Sequence, residues 1–130
     1  MKEHQTKKKK TKQDKRLYKK QFKHCRKLLL KAAKDYRPWD ESFLLEFMSI
    51  IFTHWKQYYE LGYNVMAMED NEWREDCKGE PSRYEIATEL LNRLCKMRDI
   101  TIISKTQEQM DTEAQEFADY FAKYIHWMWD

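Results

Sequence analysis

Glycine and proline are almost missing from this chain, with two of each in 130 residues. Average usage is about 7% and 5%, and turn-rich β architectures depend on both residues, so their scarcity points to helices. Long apolar runs are missing too. The longest uncharged apolar stretch, Phe47 to Trp55, has nine residues and includes Ser49, Thr53 and His54, whereas a membrane span needs about twenty. The basic N-terminus leads into no apolar segment, so no secretory signal is expected. The three cysteines, Cys25, Cys77 and Cys95, are odd in number and widely spaced. That pattern predicts reduced thiols, not a disulfide framework. With so few glycines there is little means of cradling a phosphate by backbone, and no P-loop, Gly-x-Ser-x-Gly or His-Glu-x-x-His occurs.

Charge is present in quantity and is sorted by position. Residues 1–37 hold 16 Lys/Arg against Glu3, Asp14 and Asp35, a balance of +13, while residues 38–130 hold 9 against 19, a balance of −10. The net charge of +3 therefore hides a basic arm on an acidic body. Such asymmetry marks a tail that meets a polyanion.

Residues 1–13 contain no apolar residue after Met1, and a segment of that composition cannot offset the entropy of ordering. They are expected to form a disordered Lys-rich arm ahead of a helical domain spanning 14–130. In the first helix, about 14–36, Tyr18, Phe22, Cys25, Leu29, Ala32 and Tyr36 recur at intervals of 4, 3, 4, 3 and 4, one stripe of a helix. Asp14 is its expected N-cap, and Arg37 before Pro38 its end. A second helix, about 41–61, is capped by Asp40, with Trp39 expected to pack on Leu44 as a hydrophobic staple. Its apolar residues cover more than one face, which predicts the most buried helix, and Gly62 suits the position after it. A loop over 63–80 follows. Ser82 and Glu85 then form a capping box for a helix to about 98, and Ser104 with Gln107 a second box for a helix over about 105–129. Ile100-Thr101-Ile102-Ile103 reads as an extended connector. The fold expected is all-α, a four-helix, bundle-like single domain.

Two segments carry a resemblance. Tyr36-Arg37-Pro38-Trp39-Asp40, followed by Ser42-Phe43-Leu44-Leu45-Glu46, and the ending Tyr124-Ile125-His126-Trp127-Met128-Trp129-Asp130 resemble a group of small helical proteins of tailed bacteriophages. That group pairs an Arg-Pro-Trp-Asp helix start with a Trp-Trp-Asp terminus, and Glu89-Leu90-Leu91-Asn92-Arg93-Leu94 is similar to its middle helix. The resemblance covers 36–130 and implies a phage origin and action in the host bacterial cytoplasm or in the virion. It implies no catalytic residues. Trp127 and Trp129 lie about 200° apart on a helix, so one is expected to face the core near Trp39 and the other the surface.

The functional candidates are the cations. Lys7, Lys8, Lys9, Lys10, Lys12, Lys15, Arg16, Lys19 and Lys20 are expected to neutralise phosphates within a binding region over residues 2–27. Lysine without aromatic interleaving attracts phosphate and reads no base, so DNA or RNA would be held without sequence preference and with strong salt dependence. His24, Cys25, His54, His126, Cys77 and Cys95 show no metal-ligand spacing, and His54 and His126 could still meet in space. Glu69, Asp70, Glu72, Glu75 and Asp76 lack the alternation of a calcium loop. No cofactor, no metal and no enzymatic activity are expected. The alternative expectation is a protein–protein module acting through the acidic body, as a virion component or an inhibitor of a host complex. An oligomer joined arm to body is a third, and membrane binding is not expected.

Overall fold

The computed structural model describes residues 12–61, 79–98 and 105–128. It is all-α and bundle-like: α1 spans Lys12–Lys34, α2 Glu41–Glu60, α3 Arg83–Arg98 and α4 Gln107–Tyr124, with a 3-10 turn over Ile125–Met128. Lys7 to Lys10, Gly62, most of the 63–80 loop, residues 100–103, Ser104, Cys77 and Trp129 lie outside the described residues.

The helices pack chiefly in chain order, α1 on α2, α2 on α3 and α3 on α4. Phe52, Ile86, Leu90, Leu94, Phe117 and Tyr124 form the central cluster, bordered by Leu45, Met48, Trp55 and Trp127. The deepest helix is α3, not α2 as its broad apolar face suggested. Ile86, Leu90 and Leu94 are wholly enclosed. The reason is geometric: α2 divides its apolar surface between two neighbours, so most of its side chains are half-buried, while the narrow stripe of α3 is covered completely.

Helix starts obey local chemistry. At α2, the Asp40 carboxylate accepts from the Ser42 amide at 3.0 Å and the Ser42 hydroxyl at 2.6 Å, which holds its carboxyl below the ordinary range. At α3, Glu85 accepts from the Ser82 amide at 3.0 Å while the Glu85 amide donates to Ser82 Oγ at 3.2 Å. Gly79 precedes this start in the left-handed region, at φ +83°, where a side chain would be strained.

Several expectations are corrected. The first helix is already formed at Lys12, so Asp14 lies within its first turn and is not the cap. Residues 12 and 13 are therefore helix, not arm, and the helix ends at Lys34. Trp39 and Leu44 form no buried staple, being 80% and 60% exposed, and Trp39 is no core partner for Trp127. The α4 box is made by Thr106 and Gln109, not by Ser104 and Gln107: the Gln109 amide donates to Thr106 Oγ1 at 3.1 Å and the Thr106 amide to Gln109 Oε1 at 2.9 Å. Lastly, α4 stops at Tyr124 and tightens into the 3-10 turn.

Side chains from the preceding helices hold that turn. Arg83, 5% exposed, donates from Nε to the Trp127 carbonyl at 2.7 Å and lies 5.9 Å from the Tyr59 ring centroid. Tyr59 donates to the Met128 carbonyl at 3.3 Å. Terminal carbonyls of a helix need such partners.

Tyr124 donates to Glu80 at 2.6 Å. The hydrogen bond to a carboxylate, with burial second, pushes its pKa up to about 12 from an ordinary 10. The folded state holds this proton more tightly than the unfolded chain, so the stabilisation is complete below pH 10 and is lost as pH rises toward 12. Melting temperature should therefore fall less steeply over that window in Tyr124→Phe than in the parent chain. Parallel curves would show that the Glu80 contact contributes nothing.

Candidate nucleic-acid interface

Helix α1 carries ten Lys/Arg and one acidic residue, Asp14. At 100° per residue the cations occupy a continuous arc of about 160°, and the buried residues Cys25 and Ala32 lie on the other side, against α2. All ten are exposed. Among the described residues no carboxylate forms an ion pair with any of them.

Of the residues singled out from sequence, Lys12, Lys15, Arg16, Lys19 and Lys20 are on this arc. Among these five, Lys15 and Lys20 lie farthest apart, by about 140°. Lys23, Arg26 and Lys27, within the region over residues 2–27 but not named individually, continue the same face, and Lys31 and Lys34 carry it beyond that region. The signal was available in the i, i+4 series Lys15, Lys19, Lys23, Lys27, Lys31. Like charges four residues apart each destabilise a helix by about 0.2–0.5 kcal/mol. The cations at the N-terminal end also oppose the helix dipole. The face thus costs stability in the free protein.

The α1–α2 seam beneath it is aromatic. Tyr18 lies 5.6 Å from Tyr58 and stacks on His54 at 6.4 Å, and Phe22 meets His54 edge-on at 5.4 Å. Burial pushes the His54 pKa down, and its Nε2 is enclosed without a hydrogen-bond partner, which disfavours the charged ring. His126 is exposed on the terminal turn, away from this seam. Further along, burial pushes the Cys25 thiol up, which disfavours the reactive thiolate. Both described cysteines, Cys25 and Cys95, are free thiols.

The opposite side of the array is acidic. Helix α4 holds Glu108, Asp111, Glu113, Glu116 and Asp119 against Lys123, and only Glu113 among these carboxylates is half-buried, paired with Lys105 at 2.7 Å. Its first two turns leave Met110 and Ala114 exposed despite their place on the apolar stripe. The charge sorted along the sequence is therefore also sorted in space, with a cationic face on α1 and an anionic one on α4.

Among the described residues no group of three or more His, Cys, Asp or Glu gathers as a metal site, and no helix is long and apolar enough to cross a membrane. Compared with known proteins, the chain matches no family model, no curated protein and no solved structure.

Proposed function

We propose that this is a non-enzymatic accessory protein that binds nucleic acid without sequence preference through its basic N-terminal region. The observation that carries the reading is the exposed cationic face of α1, whose charges no described carboxylate neutralises. A surface that costs helix stability in isolation is relieved when a polyanion covers it, and the positive end of the helix dipole adds to the attraction. Lys7, Lys8, Lys9 and Lys10 extend the same charge along the chain. The resemblance of the Arg37-Pro38-Trp39-Asp40 segment and the C-terminal tryptophans to small phage proteins supports a phage origin, and with it action in the host cytoplasm or virion.

Binding of random-sequence DNA by the full chain should fall linearly with salt on logarithmic axes, with a slope of about −0.9 per phosphate contacted. Little discrimination among sequences is expected. No binding at low salt would overturn the proposal.

The acidic outer face of α4 favours a second reading, a protein partner with a basic surface. Pull-down from bacterial lysate treated with nuclease separates the two. A specific protein retained after treatment supports the second; loss of all partners supports the first.

A further inference from the structure

We propose that one flank of α1 is a trough for single-stranded nucleic acid, in which an unpaired base lies on the Phe22 ring while neighbouring lysines hold the phosphates. This rests on the nucleic-acid reading above and names the form of nucleic acid that the site takes. Two adjacent i, i+4 rows build the flank. One is Tyr18, Phe22, Arg26 and Leu30; the other is Lys19, Lys23 and Lys27. Together they border an open concavity of about 650 Å³. Residues four apart rise about 6 Å along the axis, so the rows run side by side for about 12 Å.

Phe22 is the centre of the argument. It is 39% exposed although it belongs to the apolar stripe, and it is braced from below. Tyr18 meets it at 5.9 Å and 70°, and His54 at 5.4 Å and 90°, both edge-on. The Arg26 guanidinium lies over the ring, 5.6 Å from its centroid. A half-exposed ring covered by a planar cation is a stacking site, because a base can take the place of the guanidinium on the ring or stack upon it. Leu30, 64% exposed, extends the apolar row.

The occupant follows from charge and shape together. Among the described residues, four cations and no carboxylate line the concavity, which selects a polyanion. A duplex would meet the lysines but leave the ring idle, because its bases are stacked on each other. Only a strand with unpaired bases uses both rows, and stacking on an aromatic side chain tolerates any base. The arrangement thus keeps sequence indifference while adding preference for the single-stranded form.

The test is fluorescence anisotropy of the full chain with labelled oligothymidylate and with a duplex of equal length, at one salt concentration. Phe22→Ala should weaken single-strand binding by about 5- to 100-fold, the range of one lost base stack. Duplex affinity and both salt slopes should stay unchanged, and Phe22→Trp should restore the loss. Phe22→Leu, which retains bulk without an aromatic face, should behave as Phe22→Ala, so a fold defect in the alanine variant does not obscure the result. Unchanged single-strand binding in Phe22→Leu, or an equal loss for both forms, would overturn the trough and leave the broader reading intact. Tighter binding to anionic phosphatidylserine vesicles than to either nucleic acid would overturn it as well. If the parent chain binds neither form of DNA, the broader reading itself fails.

Discussion

Replacing Lys12, Lys15, Arg16, Lys19 and Lys20 together by glutamine should weaken nucleic-acid binding by roughly 10³-fold or more at about 0.1 M salt, and reduce the salt slope by about 4 to 5. The five lie on the first two and a half turns of α1, exposed, and no described carboxylate forms an ion pair with them. Each phosphate contact releases counterions from the nucleic acid, so removing the contact lowers both the affinity and its sensitivity to salt. Glutamine keeps side-chain length and helix propensity close to those of lysine. Stability should move the other way. The substitutions remove the like-charged pairs Lys12–Arg16, Lys15–Lys19, Arg16–Lys20 and Lys19–Lys23, each unfavourable by about 0.2–0.5 kcal/mol. A variant that melts at the same temperature or higher while binding collapses cannot be explained by unfolding. Glutamine at Glu108, Asp111 and Asp119 is the matching control, and should leave binding equal or slightly stronger by removing repulsion. An unchanged salt slope in the five-residue variant would place the phosphate contacts elsewhere in the chain.

Arg83→Met should cost about 2–3 kcal/mol and lower the melting temperature by roughly 10 °C. Methionine keeps much of the buried stem but cannot donate. The Trp127 carbonyl loses a charged partner at 2.7 Å, and the cation leaves the vicinity of the Tyr59 ring. Hydrogen bonds from charged donors contribute about 1.5–3 kcal/mol, more than neutral ones. Tyr59→Phe, which removes the neutral bond to the Met128 carbonyl, should cost about 1 kcal/mol. Near-ultraviolet circular dichroism reports the same event, because Trp127 packs at 5.8 Å on Tyr124 and loosens with the turn. A melting temperature within a degree of the parent would show that the C-terminal turn is not held through Arg83. DNA binding at low temperature should be unaffected, since Arg83 is buried and donates to the Trp127 carbonyl.

The helices were legible because their stripes repeat at 4, 3, 4, 3, 4, a spacing that only a helix turns into one face. Asp40 and the Ser82–Glu85 box were legible because capping is a contact between neighbours in sequence. What failed was non-local. Ser104-x-x-Gln107 and Thr106-x-x-Gln109 both satisfy the box rule, and register alone separates them. Trp39 and Leu44 have the staple spacing, yet both side chains stand in solvent. Arg83 reads as a surface cation, and its burial depends on a carbonyl 44 residues away. Phe22 belonged to a stripe that reads as core. Its exposure follows from how α1 rests on α2, and no periodicity reports that. The candidate site was half legible for the same reason: lysines announce charge wherever they occur, but a platform between them exists only after packing.

Helix α1 rests chiefly on α2, at one border of the array, and is the most highly charged element of the fold. In hydrogen-exchange terms it should be the first cooperative unit to open, below the free energy that releases α3. A polyanion bound along α1 would then slow exchange there first, and would shield the Lys/Arg-rich backbone of that helix from trypsin.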